Sequence, residues 1–180
     1  HWPLMRFSDI MEFVAHERPK YFSVFDFFRG YHQIIIKKSS RKYFAAITPR
    51  RSIQWKRLPM GFQASACVFT KQMHRVLGRT MAENHGQLYV DDGMTISQQE
   101  GPGRVKAMIK NLEPVFTKIA EKGLTLSIHK GFWMKRRVLY AGHYWTTVGL
   151  EINDRKTTVI RDFKVPRNLK QLRGFLGMCN

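Results

Sequence analysis

Acid is scarce in this chain. Asp and Glu number 13 against 31 Lys and Arg in 180 residues, giving a formal charge of 31 − 13 = +18 and a pI near 10.4. An imbalance of this size points to a polyanionic partner, most simply nucleic acid, because neutralising phosphates releases counterions. Cysteine is nearly missing too: Cys67 and Cys179 cannot build a disulfide framework or a four-ligand zinc site. Both fall in segments of helical pattern, where a buried free thiol is the default, and an intracellular setting fits, either a cytoplasmic particle or the nucleus. No apolar run is long enough to cross a bilayer, and no signal peptide is present, so no membrane partner is expected. Internal repeats, low-complexity segments and linkers are also lacking. With 43% hydrophobic residues, the chain has the material for one domain with a real core. Starting at His1 and stopping at "GFLGMCN" in mid-helix, it reads as a piece of something longer.

The apolar pattern divides the chain into helices and short strands. Ser8 and Asp9 are expected to cap a first helix that Pro19 closes. "YFSVFD" (21–26), "HQIIIKK" and "KYFAAIT" read as strands, the last two around a charged turn at Ser39 to Arg41, and "TPRRS" reads as a further turn. Phe69, Met73, Val76, Leu77 and Met81 recur at helical spacing within 64–81. Val105, Met108, Ile109, Leu112, Val115, Phe116 and Ile119 mark a second amphipathic helix that Gly123 ends. "LTLSI", "RVLYAG" and "HYWTTV" follow as strands, "MKRR" (134–137) as a basic turn that either touches phosphates or is plainly solvated, and two helices capped by Asn153–Asp154 and Asn168 finish the chain. This order predicts an α+β fold, with helices on one face of an antiparallel sheet.

Against this scarcity of acid, "QLYVDDGMTIS" (87–97) sets Asp91 beside Asp92. Asp92-Gly93 is a hairpin signal, because both residues accept the positive φ of tight turns. The arms "LYV" and "MTIS" are apolar, so the hairpin is expected to be buried or half-buried. Two carboxylates forced together there repel, and a cation is the usual remedy. Asp26, at the end of "YFSVFD", is either a strand-end cap or a third carboxylate of the same site. If the two strands are neighbours, Asp26, Asp91 and Asp92 meet at one sheet edge as hard oxygen donors suited to Mg²⁺. Carboxylates of this kind in a very basic chain describe phosphoryl transfer on nucleic acid.

"YFSVFDFFRGYHQI", "RLPMGFQASACVF", "YVDD", "EKGLTLSIHK", "YAGH" and "VPRNLKQLRGFLG" stand in the order and spacing of reverse transcriptases. The chain resembles most those of gypsy-type long-terminal-repeat retrotransposons and their retroviral relatives. That resemblance implies a right-hand polymerase palm with partial fingers (1–20 and 32–62 fingers and palm; 21–31 and 63–147 palm) and the start of a thumb (148–180). It implies an RNA- and DNA-directed DNA polymerase that joins dNTP to a primer 3′-hydroxyl on an RNA or DNA template. Asp26, Asp91 and Asp92 are then the ligands of two Mg²⁺ ions, with Mn²⁺ as an alternative.

Phe27, Phe28, Arg29 and Gly30 would cradle the triphosphate, and Tyr31 would stand under the sugar and exclude a 2′-hydroxyl. Met60, Gly61 and Phe62 resemble the segment that packs on nucleotide and template. Lys130 resembles a lysine that protonates the leaving pyrophosphate; read alone, it is equally a solvated basic residue near a turn. Leu139, Tyr140, Ala141, Gly142 and His143 resemble a primer grip.

Some positions depart from the pattern. Ser65-Ala66 stand where relatives carry Ala-Pro, Arg51 replaces a turn glycine, and Met60 stands where many relatives carry Gln or Phe. The front finger strands would lie before His1. The rest of the thumb, a ribonuclease H and an integrase would lie beyond Asn180. Two other readings stay open: an inactive remnant or domesticated module that only binds nucleic acid, and an RNA-templated RNA polymerase. Tyr31 and the Tyr-Val before the paired Asp disfavour the latter.

Overall fold

The structure, a computed structural model, describes residues 5–151, 158 and 160–179. Its centre is a four-stranded antiparallel sheet in the order β4-β5-β1-β6, formed by β1 (Tyr21–Asp26), β4 (Gly86–Tyr89), β5 (Asp92–Ser97) and β6 (Phe132–Lys135). In β1 the middle four residues are all buried, as expected of a strand covered on both faces. One face presents Phe25, Phe27 and Leu88 to α3 (Ser65–Glu83) and α4 (Arg104–Glu121), through Phe69, Met73, Leu77, Met81, Val115 and Ile119. The other presents Phe22, Val24, Met94 and Ile96 to α1 (Phe7–Glu17) and to the sheet of β7 (Arg137–Tyr140), β8 (His143–Thr146) and β9 (Gly149–Glu151). The α+β class and the antiparallel sheet agree with expectation, with α3 and α4 side by side on one face. The covering of the opposite face by α1 and a second sheet is additional.

Several local expectations differ. The cap of α1 is Arg6, not Ser8 or Asp9; Asp9 sits at the third helical position and accepts the Arg6 backbone N–H at 2.9 Å. "HQIIIKK" is no strand. Its start lies in the helical turn α2 (Gly30–Gln33), and Ile35 makes a single bridge to Arg57. Lys38–Phe44 is a 3₁₀ helix, so only Ala45–Ile47 (β2) of "KYFAAIT" is extended, paired with β3 (Ser52–Gln54) across the turn at "TPRRS". "LTLSI" gives one bridge, Leu126 to Phe27.

The strand β6 was not expected. Its "FWMK" lacks alternation, Met134 has φ 51°, and the Met134 N–H goes to Ser23 Oγ where the register with β1 shifts. "MKRR" is therefore β6, one connecting residue and the start of β7. Arg136 pairs with Glu100 and donates to Tyr21 Oη, and Arg137 pairs with Glu151 over the Tyr144 ring. Asn168 does cap its helix, α5 (Leu169–Cys179), accepting the Gln171 N–H at 2.9 Å. Asn153–Asp154 lies outside the described residues.

Candidate active site at the sheet end

Asp26 is the last residue of β1 and Asp92 the first of β5, and the two are paired across the sheet. The turn joining β4 to β5 is Val90–Asp91, not Asp92-Gly93, since Tyr89 and Asp92 already pair. Val90 has φ 52°, a conformation that costs a β-branched residue about 1–3 kcal/mol and that gathers at functional sites. Gly93 is required by packing instead: a Cβ there would run into the Phe25 ring. The Asp91 carbonyl accepts the Phe27 N–H at 3.4 Å, which ties the turn to the end of β1. Asp26, Asp91 and Asp92 therefore all lie at one edge of the sheet.

Their electrostatics follow from that crowding. Burial pushes the Asp92 carboxyl up to about 6, and the charges of Asp91 and Asp26 push the same way. Asp91 is also raised, chiefly by burial and further by Asp26, against a backbone hydrogen bond that lowers it. Lys130 Nζ stands 3.5 Å from Asp26 Oδ2. The lysine arrives through Ser127, whose N–H donates to the Asp26 carbonyl at 2.8 Å, and through the Lys130 N–H, which donates to the Ser127 carbonyl at 2.9 Å. Its side chain is largely exposed, so the pair adds little stability; it fixes an ammonium beside the carboxylates.

Hard oxygen donors at a partly buried edge fit a divalent cation in kind. Like charges also spread apart. Among the described residues no three His, Cys, Asp or Glu side chains gather closely enough to hold one ion.

A cavity of about 240 Å³ joins this acidic edge to the neighbouring sheet, lined by Asp26, Asp92, Lys130, Leu139, Tyr140 and Gly142 among others. Hollows of about 540 Å³ between α1 and the β8–β9 turn and about 580 Å³ beneath α1, α3 and β4 are larger, but neither touches these carboxylates. Chemistry, not size, therefore selects the smaller one. Tyr140 is 1% exposed and donates its hydroxyl to the Gln87 carbonyl at 3.3 Å, while its own carbonyl accepts Trp145 Nε1–H. It is therefore core, and the surface of this segment is Leu139 with the Ala141–Gly142 turn, both of whose residues have positive φ. His143 packs on Phe7, with ring centroids 4.3 Å apart.

On the other side of Asp26, Phe27 is buried edge-on against Phe69, whereas Phe28 is 46% exposed with the Arg29 guanidinium 5.2 Å over its ring. Gly30 opens α2 against Phe69, where a Cβ would approach Cζ to 2.9 Å. Tyr31 stacks on Phe69 at 4.9 Å and 23°; burial and the Asp91 charge raise its phenol, so the ring lies within the field of the acidic edge. Met60 is 61% exposed, beside Gly61 and the exposed Phe62, whose ring lies 4.7 Å from Phe44. Ser65 Oγ donates to the Pro59 carbonyl at 2.7 Å and anchors this segment to α3. Sequence reasoning missed Gln33, whose carboxamide bonds the backbone of Phe28 and Thr125. No spacing rule signals such a contact, because 92 residues separate the partners.

Residues 3–145 match the family described as "Reverse transcriptase (RNA-dependent DNA polymerase)". The chain is 32% identical over 179 residues to the retrovirus-related Pol polyprotein from transposon 412 of Drosophila melanogaster, covering 99% of this chain and 14% of that protein. It is 23% identical over 163 residues to the Pol polyprotein from transposon gypsy of the same fly, covering 91% and 15%. It thus spans about one-seventh of the curated relatives it matches. Among solved structures, the foamy viral protease-reverse transcriptase in complex with RNA/DNA hybrid has 28% identity and a TM-score of 0.75, covering 89% of this chain and 21% of that one. The same viral protein in complex with double-stranded DNA has 27% identity and a TM-score of 0.78, covering 98% and 30%.

Proposed function

The chain belongs to the reverse transcriptase family, and from that premise we propose that it is the catalytic part of an enzyme that extends a primer with dNTP on an RNA or DNA template. The observation that carries the proposal is that Asp26, Asp91 and Asp92 share one sheet end, where burial and the charges of Asp91 and Asp26 push Asp92 up to about 6. In this reading residues 21–31 and 63–147 are palm, 1–20 and 32–62 fingers and palm, and 148–180 the start of the thumb. The parent polyprotein would carry a ribonuclease H and an integrase downstream.

The three carboxylates would hold two Mg²⁺ ions, or Mn²⁺. When bound, the ions supply charge neutralisation at the attacking and leaving oxygens of an in-line displacement. In that displacement the primer 3′-hydroxyl gives its proton to solvent as its oxygen bonds the α-phosphorus, the bond from that phosphorus to the bridging oxygen breaks, and pyrophosphate leaves. Lys130, held at Asp26, would give a proton to the pyrophosphate. The backbone of Phe27 to Gly30 cradles the triphosphate, and exposed Met60 and Phe62 meet nucleotide and template. Tyr31, braced by Phe69, presents a flat ring where a ribose 2′-oxygen would need room. Leu139 and the Ala141–Gly142 turn, across the 240 Å³ cavity from Asp26, hold the primer end. Incorporation of dNTP on an RNA template should vanish with EDTA and return with Mg²⁺ but not with Ca²⁺. Incorporation that persists in EDTA would remove the metal-based reading.

A further inference from the structure

Gln33 spends its whole carboxamide on backbone. Nε2 donates to the Phe28 carbonyl at 2.6 Å and to the Thr125 carbonyl at 2.8 Å, and Oε1 accepts the Thr125 N–H at 2.8 Å. The Phe28 N–H donates to the same Thr125 carbonyl at 3.0 Å, and the carbonyl of Gln33 accepts from Arg57 Nη1 at 3.1 Å. One side chain therefore offers Thr125 the donor and acceptor that a neighbouring strand would offer.

What it joins gives the contact meaning. Phe28 lies within Phe27–Gly30, on the near side of Asp26. Two residues after Thr125, the Ser127 N–H holds the Asp26 carbonyl, and Ser127 in turn accepts from the N–H of Lys130, whose ammonium reaches Asp26. The ladder between these segments is thin: a single bridge, Phe27 to Leu126. Without the carboxamide, the Thr125 N–H would need another partner, and only the two backbone bonds of that bridge would set the spacing of the two segments.

We propose that Gln33 is a positioning residue that sets the distance between the triphosphate cradle and Lys130, acting through Phe28 and Thr125 without touching the nucleotide. The proposal rests on the functional reading above and adds to it a determinant of nucleotide affinity outside the acidic edge.

The test compares the wild-type chain with Gln33→Met and Gln33→Glu. Met keeps length and volume but makes none of the three bonds. Glu keeps an acceptor for the Thr125 N–H and sets an anion against two carbonyls. Amide hydrogen exchange at Thr125, measured without nucleotide, should speed up about tenfold in Gln33→Met. In primer extension both variants should raise the KM for dNTP about tenfold, while the affinity for primer duplex stays within about twofold of wild type.

A role confined to general stability would lower the melting temperature and weaken duplex and dNTP together, and that result would overturn the proposal. Unchanged exchange at Thr125, or faster exchange with an unchanged KM for dNTP, would overturn it as well. A wild-type chain that adds no nucleotide would instead sink the functional reading, and the positioning role with it, even where the exchange data uphold the clamp.

Discussion

Asp92 is a side chain whose burial and crowding cost the fold stability. Its carboxyl is pushed from the ordinary 3.8 up to about 6, first by burial and then by Asp91 and Asp26. The folded-state value lies above the unfolded one, so the folded chain binds the extra proton between those values. Stability therefore falls as pH rises from about 4 to about 6, and the cost is fully present above that window. Asp92→Asn should stabilise the metal-free chain at pH 7.5 by roughly 1–2 kcal/mol, or about 4 °C in melting temperature, and should abolish the stabilisation that Mg²⁺ gives the wild type. Calorimetry with and without Mg²⁺ reads both effects, and an Asn variant less stable than wild type would contradict the repulsion. Tyr31 offers a second residue-level check. Tyr31→Val removes the ring that stacks on Phe69, and rNTP incorporation relative to dNTP should rise at least about tenfold. Unchanged sugar selection in a competition assay would put the discrimination elsewhere.

Among the elements, the β4–β5 hairpin and α3 carry the site. Gly93 lies under the Phe25 ring, and Gly93→Ala should cost about 1–3 kcal/mol in urea unfolding because two strands must part to admit a methyl group. Phe69 is fully buried and braces Phe27, Gly30 and Tyr31 at once, so Phe69→Ala should cost about 3–5 kcal/mol and loosen the cradle along with the core.

These elements also mark where the sequence was legible. Helices α3 and α4 announce themselves through apolar residues at helical spacing, and β1 through its buried run. The carboxylates were legible because isolated acids stand out in a basic chain. What could not be read depends on contacts distant in sequence. Strand β6 has no alternation and relies on Ser23 to hold Met134, and the start of "HQIIIKK" lies in a helical turn with Gln33 bonded to Thr125. The exact turn was hidden for a related reason: Asp-Gly is the stronger local signal, yet Phe25 claims Gly93 for packing and moves the turn back to Val90–Asp91. For the candidate site, the resemblance named Tyr140 among contact residues. Only the packing of Tyr140 against the central sheet reveals it as core.

At the scale of the whole molecule, 31 basic residues against 13 acidic ones leave a net excess of 31 − 13 = 18 positive charges. Several of the acids are already engaged, Glu100 by Lys20 and Arg136, Glu151 by Arg137 and Asp26 by Lys130. Duplex affinity should therefore fall steeply with salt, with a slope of log K against log salt of about −5 or steeper in fluorescence anisotropy. A slope near zero would mean that the excess charge does not face phosphate. Binding of this kind would persist in a chain that had lost its chemistry, so it cannot decide the central claim. The decisive measurement is primer extension on an RNA template with dNTP and Mg²⁺ by wild type and Asp92→Asn side by side, with duplex affinity recorded for both. Wild type alone should extend the primer, and the two proteins should bind the duplex with equal affinity. Extension that survives the substitution, or none from either protein, would contradict the central claim.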